Sequence, residues 1–350
     1  MIKAICQPSK ALRLIGVLAV TVAFGAFGSA KLGRAQEQAP QQDGADAKIH
    51  VLPVQYNVYM LVGDGANITV QVGKDGVLVV DTGEAPLAGK LLATIQTLSD
   101  APIRYIINTN ADADHMGGNQ TIAMHGSTIA GYNVVGDIGA SAGNQAAVIA
   151  FQAVLDRISA PTGKRAAMPE GAWPTDTYTV SQKDVWFNDE GIRIYHAAAA
   201  HTDGDSVVFF RRSDVVSTGD IYRTDSYPVI DIDRGGGIQG EIAALNHTIN
   251  LAIPAQLETR YGGSEQEGGT LIIPGHGRLT DQSDLVFYQE MVTIIRDRIQ
   301  AMIKKGMTLE QVEEAKPTLD YDPLYGTATG PWTTGMFVEA VYKSLSQNQK

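Results

Sequence analysis

Apolar and polar positions change their period several times along the chain, and each change marks an element. Val54–Leu61, Ile68–Val72 and Val77–Val80 are rich in β-branched and aromatic residues, and Gly63-Asp64-Gly65 and Gly73-Lys74-Asp75-Gly76 separate them. The start of the fold, near Lys48, therefore reads as antiparallel strands joined by turns. Helical spacing takes over at Leu87–Leu98, a short buried strand fits Arg104–Ile107, and further strands fit Arg193–Tyr195, Ser206–Phe210, Val215–Ser217 and Leu271–Ile273. Further on, Leu285, Tyr288, Val292, Ile295, Ile299 and Met302 fall on one face of a predicted helix that ends near Gly306. Thr308 and Gln311 have the spacing of a capping box for a short helix closed by Pro317, and Phe337–Leu345 supports a last one. Strands and helices alternate in both halves, which is the pattern of an α/β protein with mixed sheets covered by helices. Two stretches leave this scaffold. Residues 159–183 hold Pro161, Gly163, Pro169, Gly171 and Pro174 around Trp173 and have the length of a binding lid, whereas the Gly- and Glu-rich residues 260–269 read as a solvated loop.

Composition changes meaning once the first 35 residues are set apart. Lys3, Lys10 and Arg13 precede an apolar run from Leu14 to Phe27, and small residues follow at Ser29, Ala30 and Ala35. This is the pattern of a signal peptide over residues 1–35, cleaved near Ala30 or Ala35, and it predicts a periplasmic or secreted protein with no stable membrane anchor after leader removal. A signal anchor is the competing reading, which Gly16, Gly25 and Gly28 weaken by making the run short for a span. Residues 36–47 are rich in Gln, Ala, Asp and Gly and read as a disordered linker. The single cysteine, Cys6, lies in the leader, so disulfides, thiolate nucleophiles and cysteine zinc sites are excluded from the mature protein. The net charge is −11; without the leader, 22 basic residues face 38 acidic ones, a balance of −16. Such a surface repels phosphate backbones and carries no visible basic patch, so the expected partner is a small-molecule substrate rather than a nucleic acid. Oligomeric state is not legible.

The chemistry lies where apolar strands run into polar residues flanked by glycine. Four places qualify: Val77–Gly83 (VLVVDTG), Ile106–Asn119 (IINTNADADHMGGN), His201–Phe210 (HTDGDSVVFF) with Val215–Asp220 (VVSTGD), and Leu271–Gly277 (LIIPGHG). One histidine after a strand is commonly a satisfied turn residue. Asp114-His115, His201, Asp220 and His276 delivered from separate strand ends form a set that zinc or iron takes, since neutral imidazole and carboxylate are their ligands. His50, His125, His196 and His247 read as surface or packing residues, with His196 the best placed to support a ligand. Gly235-Gly236-Gly237 has no preceding strand and no following Lys-Ser/Thr pair, so it reads as a flexible turn rather than a phosphate cradle.

In collection and order these motifs resemble those of the metallo-β-lactamase superfamily. The resemblance implies a four-layer αβ/βα sandwich of two mixed sheets covered by helices over residues 48–283, with residues 284–350 as a C-terminal helical extension packed on it. It implies that Asp114, His115 and His276 with bridging Asp220 form one metal position and that Asp112, His201 and Asp220 form the other, with Asp114 and Asp220 serving catalysis. Asp81 would be structural or support a ligand. Tyr222, Arg223 and Tyr227 follow Asp220 in the region that faces substrate in the family.

The departure from the family pattern is local. Where its signature reads H-x-H-x-D-H, this chain has Asn110 and Asp112 in place of the two leading histidines. Asp112 can ligate through a carboxylate oxygen, as a Glu does there in di-iron relatives, but the amide oxygen of Asn110 is a poor ligand for a divalent transition metal. The expected cofactor is Zn2+, with one ion bound tightly and a second weakly, and Fe or Mn as alternatives. Lactamases of the commoner type carry Cys where this chain has Asp220, which shifts the expectation towards glyoxalase-II-like or lactonase-like hydrolysis. The resemblance thus implies an exported hydrolase in which water activated by the metal attacks an ester, thioester, lactone or amide bond. Two other classes stay open: a catalytically degenerate periplasmic binding protein, suggested by the two lost imidazoles, and a di-iron redox protein, suggested only by Asp112.

Overall fold

The computed structural model describes residues 48–128, 144–160, 168–260 and 263–347. The leader and linker expected over residues 1–47 lie outside the described residues. Strand β1 (His50–Gln55), β2 (Val58–Val62), β3 (Ile68–Gly73) and β4 (Gly76–Val80) form an antiparallel meander. β5 (Ile103–Ile107), β6 (Ala147–Phe151) and β7 (Asp176–Tyr178) then add in parallel, completing a seven-stranded sheet in sequence order. Helices α1 (Ala88–Leu98), α2 (Ala113–Met116), α3 (Asn119–Met124) and α4 (Gln152–Ile158) lie in the connections between these parallel strands.

The second sheet has six strands in the order β15-β14-β11-β10-β9-β8. β8 (Gln182–Phe187), β9 (Glu190–Ala197), β10 (Asp205–Phe210) and β11 (Val215–Ser217) are antiparallel; β14 (Leu271–Ile273) joins β11 in parallel, and β15 (Thr280–Asp281) closes the edge. Between β11 and β14 come α5 (Ile238–Leu251) and a separate hairpin, β12 (Gln256–Arg260) with β13 (Gly263–Glu267). Four helices follow: α6 (Gln282–Lys304), α7 (Leu309–Glu314), α8 (Asp322–Tyr325) and α9 (Thr334–Gln347).

Strand alternation builds four layers. Within β4, Leu78 and Val80 face the second sheet, where they meet Ile194, Val208 and Val215, while Val77 and Val79 face Leu91 and Ile95 of α1. A strand buried on both faces must be apolar throughout, which is why VLVV precedes the first polar motif. The outer face of the second sheet, through Val207, Val216 and Ile272, packs against Leu245 of α5, Tyr288 and Val292 of α6 and Phe337 of α9. Each such side chain, fully buried, contributes roughly 1.5–3 kcal/mol. Two mixed sheets with helices on their outer faces are the sandwich the sequence resemblance implied. Among the described residues no helix is long and apolar enough to cross a membrane.

Three expectations change. Val54–Leu61 is not one strand: Gln55 pairs with Val58 across a turn in which Tyr56 takes a φ of 49°, so a hairpin hides inside an apolar run that lacks a turn glycine. Residues 260–269 belong largely to the β12–β13 hairpin rather than to an irregular loop. The excursion at 159–183 contains β7 and the first residues of β8, and residues 161–167 lie outside the described residues. The capping box forms as expected, with Gln311 and Thr308 bonding reciprocally.

One buried group stands out on α5. Glu241 is fully buried and neither carboxylate oxygen has a hydrogen-bond partner. Burial, reinforced by Asp205 and Asp220, pushes its acid well above the usual carboxylate value. A carboxyl whose folded pKa is raised adds stability below its unfolded value of 4.5 and loses it progressively as pH rises above that. Glu241→Gln should therefore melt higher than the parent, by a few degrees at pH 8 and by less at pH 5. Melting curves at both pH values check this; a constant difference would show that ionisation of Glu241 is not what limits stability.

Candidate metal centre

The polar motifs converge where β4, β5, β11 and β14 end. Asp81, directly after β4, adopts a φ of 62° and turns its carboxylate back under the loop that follows β5. Its Oδ1 accepts from the Thr109 amide at 2.8 Å and its Oδ2 from the Thr109 hydroxyl at 2.6 Å. Asn110 Oδ1 then accepts the Asp112 amide at 2.8 Å, ordering the entry to α2, which carries Asp114 and His115. Asp220 lies in the single 3-10 turn Gly219–Ile221 after β11. Gly219 is required there: its φ is +53°, and a Cβ would lie 2.5 Å from Thr109 Oγ1. Gly275 after β14 donates to the Gly219 and Tyr222 carbonyls, which brings the adjacent His276 beside Asp220.

The structure brings all six expected ligand residues together, in two groups of three. One oxygen or nitrogen from each of Asp114, His115 and His276 lies within 4.8 Å of the others, and the same holds for Asp112, His201 and Asp220. Asp220 stands between the groups. Its Oδ2 is 3.0 Å from His115 Nε2 and its Oδ1 is 3.3 Å from His276 Nε2, while His276 Nε2 is 3.2 Å from Asp114 Oδ2. On the other side His201 Nε2 lies 3.6 Å from Asp112 Oδ2. The Nε2 atoms of His115, His201 and His276 are all buried and none makes a hydrogen bond, an arrangement that protein interiors avoid unless a further partner binds.

Two of the three rings, His115 and His201, are steered from behind. His115 Nδ1 is 2.8 Å from Asp81 Oδ2, and His201 Nδ1 is 3.4 Å from Asp205 Oδ1, so carboxylates hold the Nδ1 protons and turn the Nε2 lone pairs inward. Electrostatics are strongly coupled. Burial alone would push the imidazoles down, but Asp220 and Asp81 hold His115 well above its usual value, and carboxylates likewise raise His201 and His276. Burial opposes ionisation of Asp220, yet His115 and the other imidazoles hold its carboxyl well below the usual range. A bound dication would replace those protons.

Not every expected residue faces the centre. Tyr222 and Tyr227 are buried in the core: Tyr222 packs edge-on against Tyr288, and Tyr227 stacks on Phe337 and donates to Asp322. Only Arg223 of that trio reaches the site, donating from Nη1 to Asp220 Oδ1 at 3.4 Å. His196 stacks on Phe151 and bonds the Asp203 carbonyl instead of supporting a ligand. Asp205, four residues after His201 and not singled out in the sequence, is the group that faces His201 Nδ1. The glycine triplet is not a slack turn. Gly235 takes a φ of +81°, a Cβ on Gly236 would lie 2.1 Å from the His201 carbonyl, and Gly237 donates to Ala200, so this loop is built onto the His201 loop. It carries Arg234, missed in the sequence, whose guanidinium pairs with Asp112.

A sequence profile of the metallo-beta-lactamase superfamily matches residues 61–253, more than half of the chain. The chain belongs to the metallo-beta-lactamase superfamily. Among solved structures, the stereoselective inverting sec-alkylsulfatase Pisa1 from Pseudomonas sp. superposes with a TM-score of 0.56 at 15% identity, covering 84% of this chain and 50% of that one. The chain thus spans about half the length of the sulfatase, and at this identity the likeness shows the fold. A metallo-beta-lactamase from Pontibacter korlensis superposes at 0.49 with 15% identity, covering 70% of this chain and 99% of that one. No curated protein sequence matches. Members of the metallo-beta-lactamase superfamily are mostly metal-dependent hydrolases. Against the superfamily signature, Asn110 turns its amide nitrogen rather than its oxygen to Asp220: the oxygen accepts the Asp112 amide and the nitrogen donates to Asp220 Oδ2 at 3.2 Å.

Proposed function

We propose that the chain is an exported metal-dependent hydrolase acting on a small ester, thioester, lactone or amide, with Asp114, His115, Asp220 and His276 as the ligands of its metal. The observation that carries this reading is the convergence of the buried Nε2 atoms of His115 and His276, neither in a hydrogen bond, on the carboxylates of Asp114 and Asp220. Two imidazoles and two carboxylates suit zinc, and also iron or manganese. When bound, the metal supplies Lewis-acid polarisation of the scissile bond and of water. Asp81 fixes the tautomer of His115. Asp114, with 30% of its side chain exposed, is the most open carboxylate of the set and is placed to take a proton from water at Oδ2. A cavity of about 520 Å³ beside His276, walled by Met60, Val62 and Leu279, gives a small substrate access.

Metal analysis of the purified mature protein, with a panel of ester, thioester and lactone substrates, tests the proposal. The expected outcome is about one retained ion per chain after dialysis and hydrolysis that chelation abolishes and zinc restores. A second reading, a degenerate binding protein, is favoured by the pairing of Arg234 with Asp112; retained metal without turnover of any substrate would select it, and no retained metal would sink the metal-centre assignment. Export rests on the residues before Ala35. N-terminal sequencing of protein recovered outside the cytoplasm should begin after Ala30 or Ala35, and an intact Met1 there would overturn cleavage.

A further inference from the structure

Of the donors Asp112, His201 and Asp220, Asp112 already faces a cation, the guanidinium of Arg234. Arg234 donates to both oxygens of Asp112, from Nη1 to Oδ1 and from Nη2 to Oδ2 at 3.3 Å, and from Nε to Asp231 Oδ2 at 2.5 Å. Asp112 Oδ2 is the same oxygen that lies 3.6 Å from His201 Nε2, so the guanidinium stands next to the His201 imidazole on a shared carboxylate. The fork geometry of Arg matches a carboxylate bidentately, and its charge is permanent.

The arm is held in this place by its backbone. Arg234 closes the 3-10 turn Ile232–Arg234, whose cap Asp231 accepts the Arg234 amide at 3.0 Å. The Arg234 carbonyl accepts from the Asp203 amide at 3.0 Å and from Arg157 at 3.3 Å, while the Asp231 amide donates to the His201 carbonyl at 2.9 Å. The approach needs Gly236, as the contact with the His201 carbonyl shows. The loop bearing His201 and the loop bearing Arg234 are therefore one bonded unit.

We propose that the Arg234 guanidinium is the resident cation of the Asp112–His201 position and replaces a second metal ion there, so that the chain holds a single ion. This rests on the reading of Asp114, His115, Asp220 and His276 as the metal ligands. The substitutions around Arg234 agree with it. Asp112 in place of an imidazole gives the guanidinium an anionic partner, and Asn110 in place of the other spends its oxygen on the Asp112 amide and its amide on Asp220. A dication entering this position would meet a fixed positive charge and a carboxylate whose two oxygens are both engaged. A guanidinium also has no vacant coordination position, so it neutralises Asp112 without acting as a Lewis acid.

The test is metal stoichiometry and affinity, with zinc chloride and manganese chloride as probes. Full-length wild type, incubated with excess metal and desalted, should retain one ion, and calorimetric titration should show a single strong binding event. Arg234→Ala and Arg234→Gln should retain two, with the weaker event tightened by about tenfold or more, whereas Arg234→Lys should remain at one because the charge persists. If Arg234→Ala fails to fold, the Gln and Lys variants decide by themselves. Two ions in the wild type, two in Arg234→Lys, or one in both charge-removing variants would overturn the proposal. No ion in any of these proteins would remove the metal-centre reading itself, a result distinct from the others.

Discussion

His276→Ala and Asp220→Ala should each release the metal ion and lower hydrolysis by about 100-fold or more, whereas Asn110→Ala should lower it by less than about tenfold. His276 supplies one of two imidazoles on the Asp114 side, and among the described residues Asp220 is the carboxylate that touches both His115 and His276. Removing Asp220 also takes one counter-charge from the buried imidazoles, so Asp220→Asn belongs beside it as the variant that keeps the volume. Asn110 touches the centre through a 3.2 Å hydrogen bond to Asp220 and by accepting the Asp112 amide, so its loss changes the charge of no ligand. Metal content and kcat/KM on whichever substrate the panel identifies read both effects. An Asn110→Ala protein as inactive as His276→Ala would show that the amide stabilises developing negative charge, an oxyanion role absent from the present assignment.

Much of this was legible in the sequence because the fold marks its ligands by abrupt changes of polarity. VLVV followed by Asp81, and LII followed by Pro274-Gly275-His276, are strands buried on both faces that end in residues no core accommodates without partners. Helix α6 was equally plain, since its apolar face repeats at helical spacing for about five turns and no glycine interrupts it. What stayed hidden depends on contacts between distant segments. Asp205 lies in a motif already singled out, but its bond to His201 requires the turn at Thr202–Gly204, where the Thr202 amide also donates to it. Arg234 is 122 residues from Asp112, and nothing local distinguishes Asp231-x-x-Arg234 from a surface turn pair. Tyr222 and Tyr227 misled for the converse reason: an aromatic after a ligand can face substrate or core, and here the helices α6, α8 and α9 supply the aromatic rings that bury them.

Restoring two imidazoles should not by itself rebuild a two-metal centre. The sequence suggests that Asn110→His with Asp112→His would suffice, since imidazoles are stronger zinc ligands than an amide and one carboxylate is lost. The structure adds that Asp112 is the bidentate partner of Arg234, so the double variant leaves a cation, still tied to Asp231, beside the two new rings and His201. Its repulsion of a dication should cancel most of the gain. Adding Arg234→Ala removes that charge and leaves three imidazoles with the shared Asp220 carboxylate, a four-ligand zinc set, so the triple variant should bind a second zinc ion about 100-fold more tightly than the double variant. Calorimetric titration of both proteins with zinc measures the difference directly. Equal second affinities would mean that Arg234 does not set the occupancy of this position. An unchanged single ion in the triple variant would mean that residues 110 and 112 do not face a metal at all.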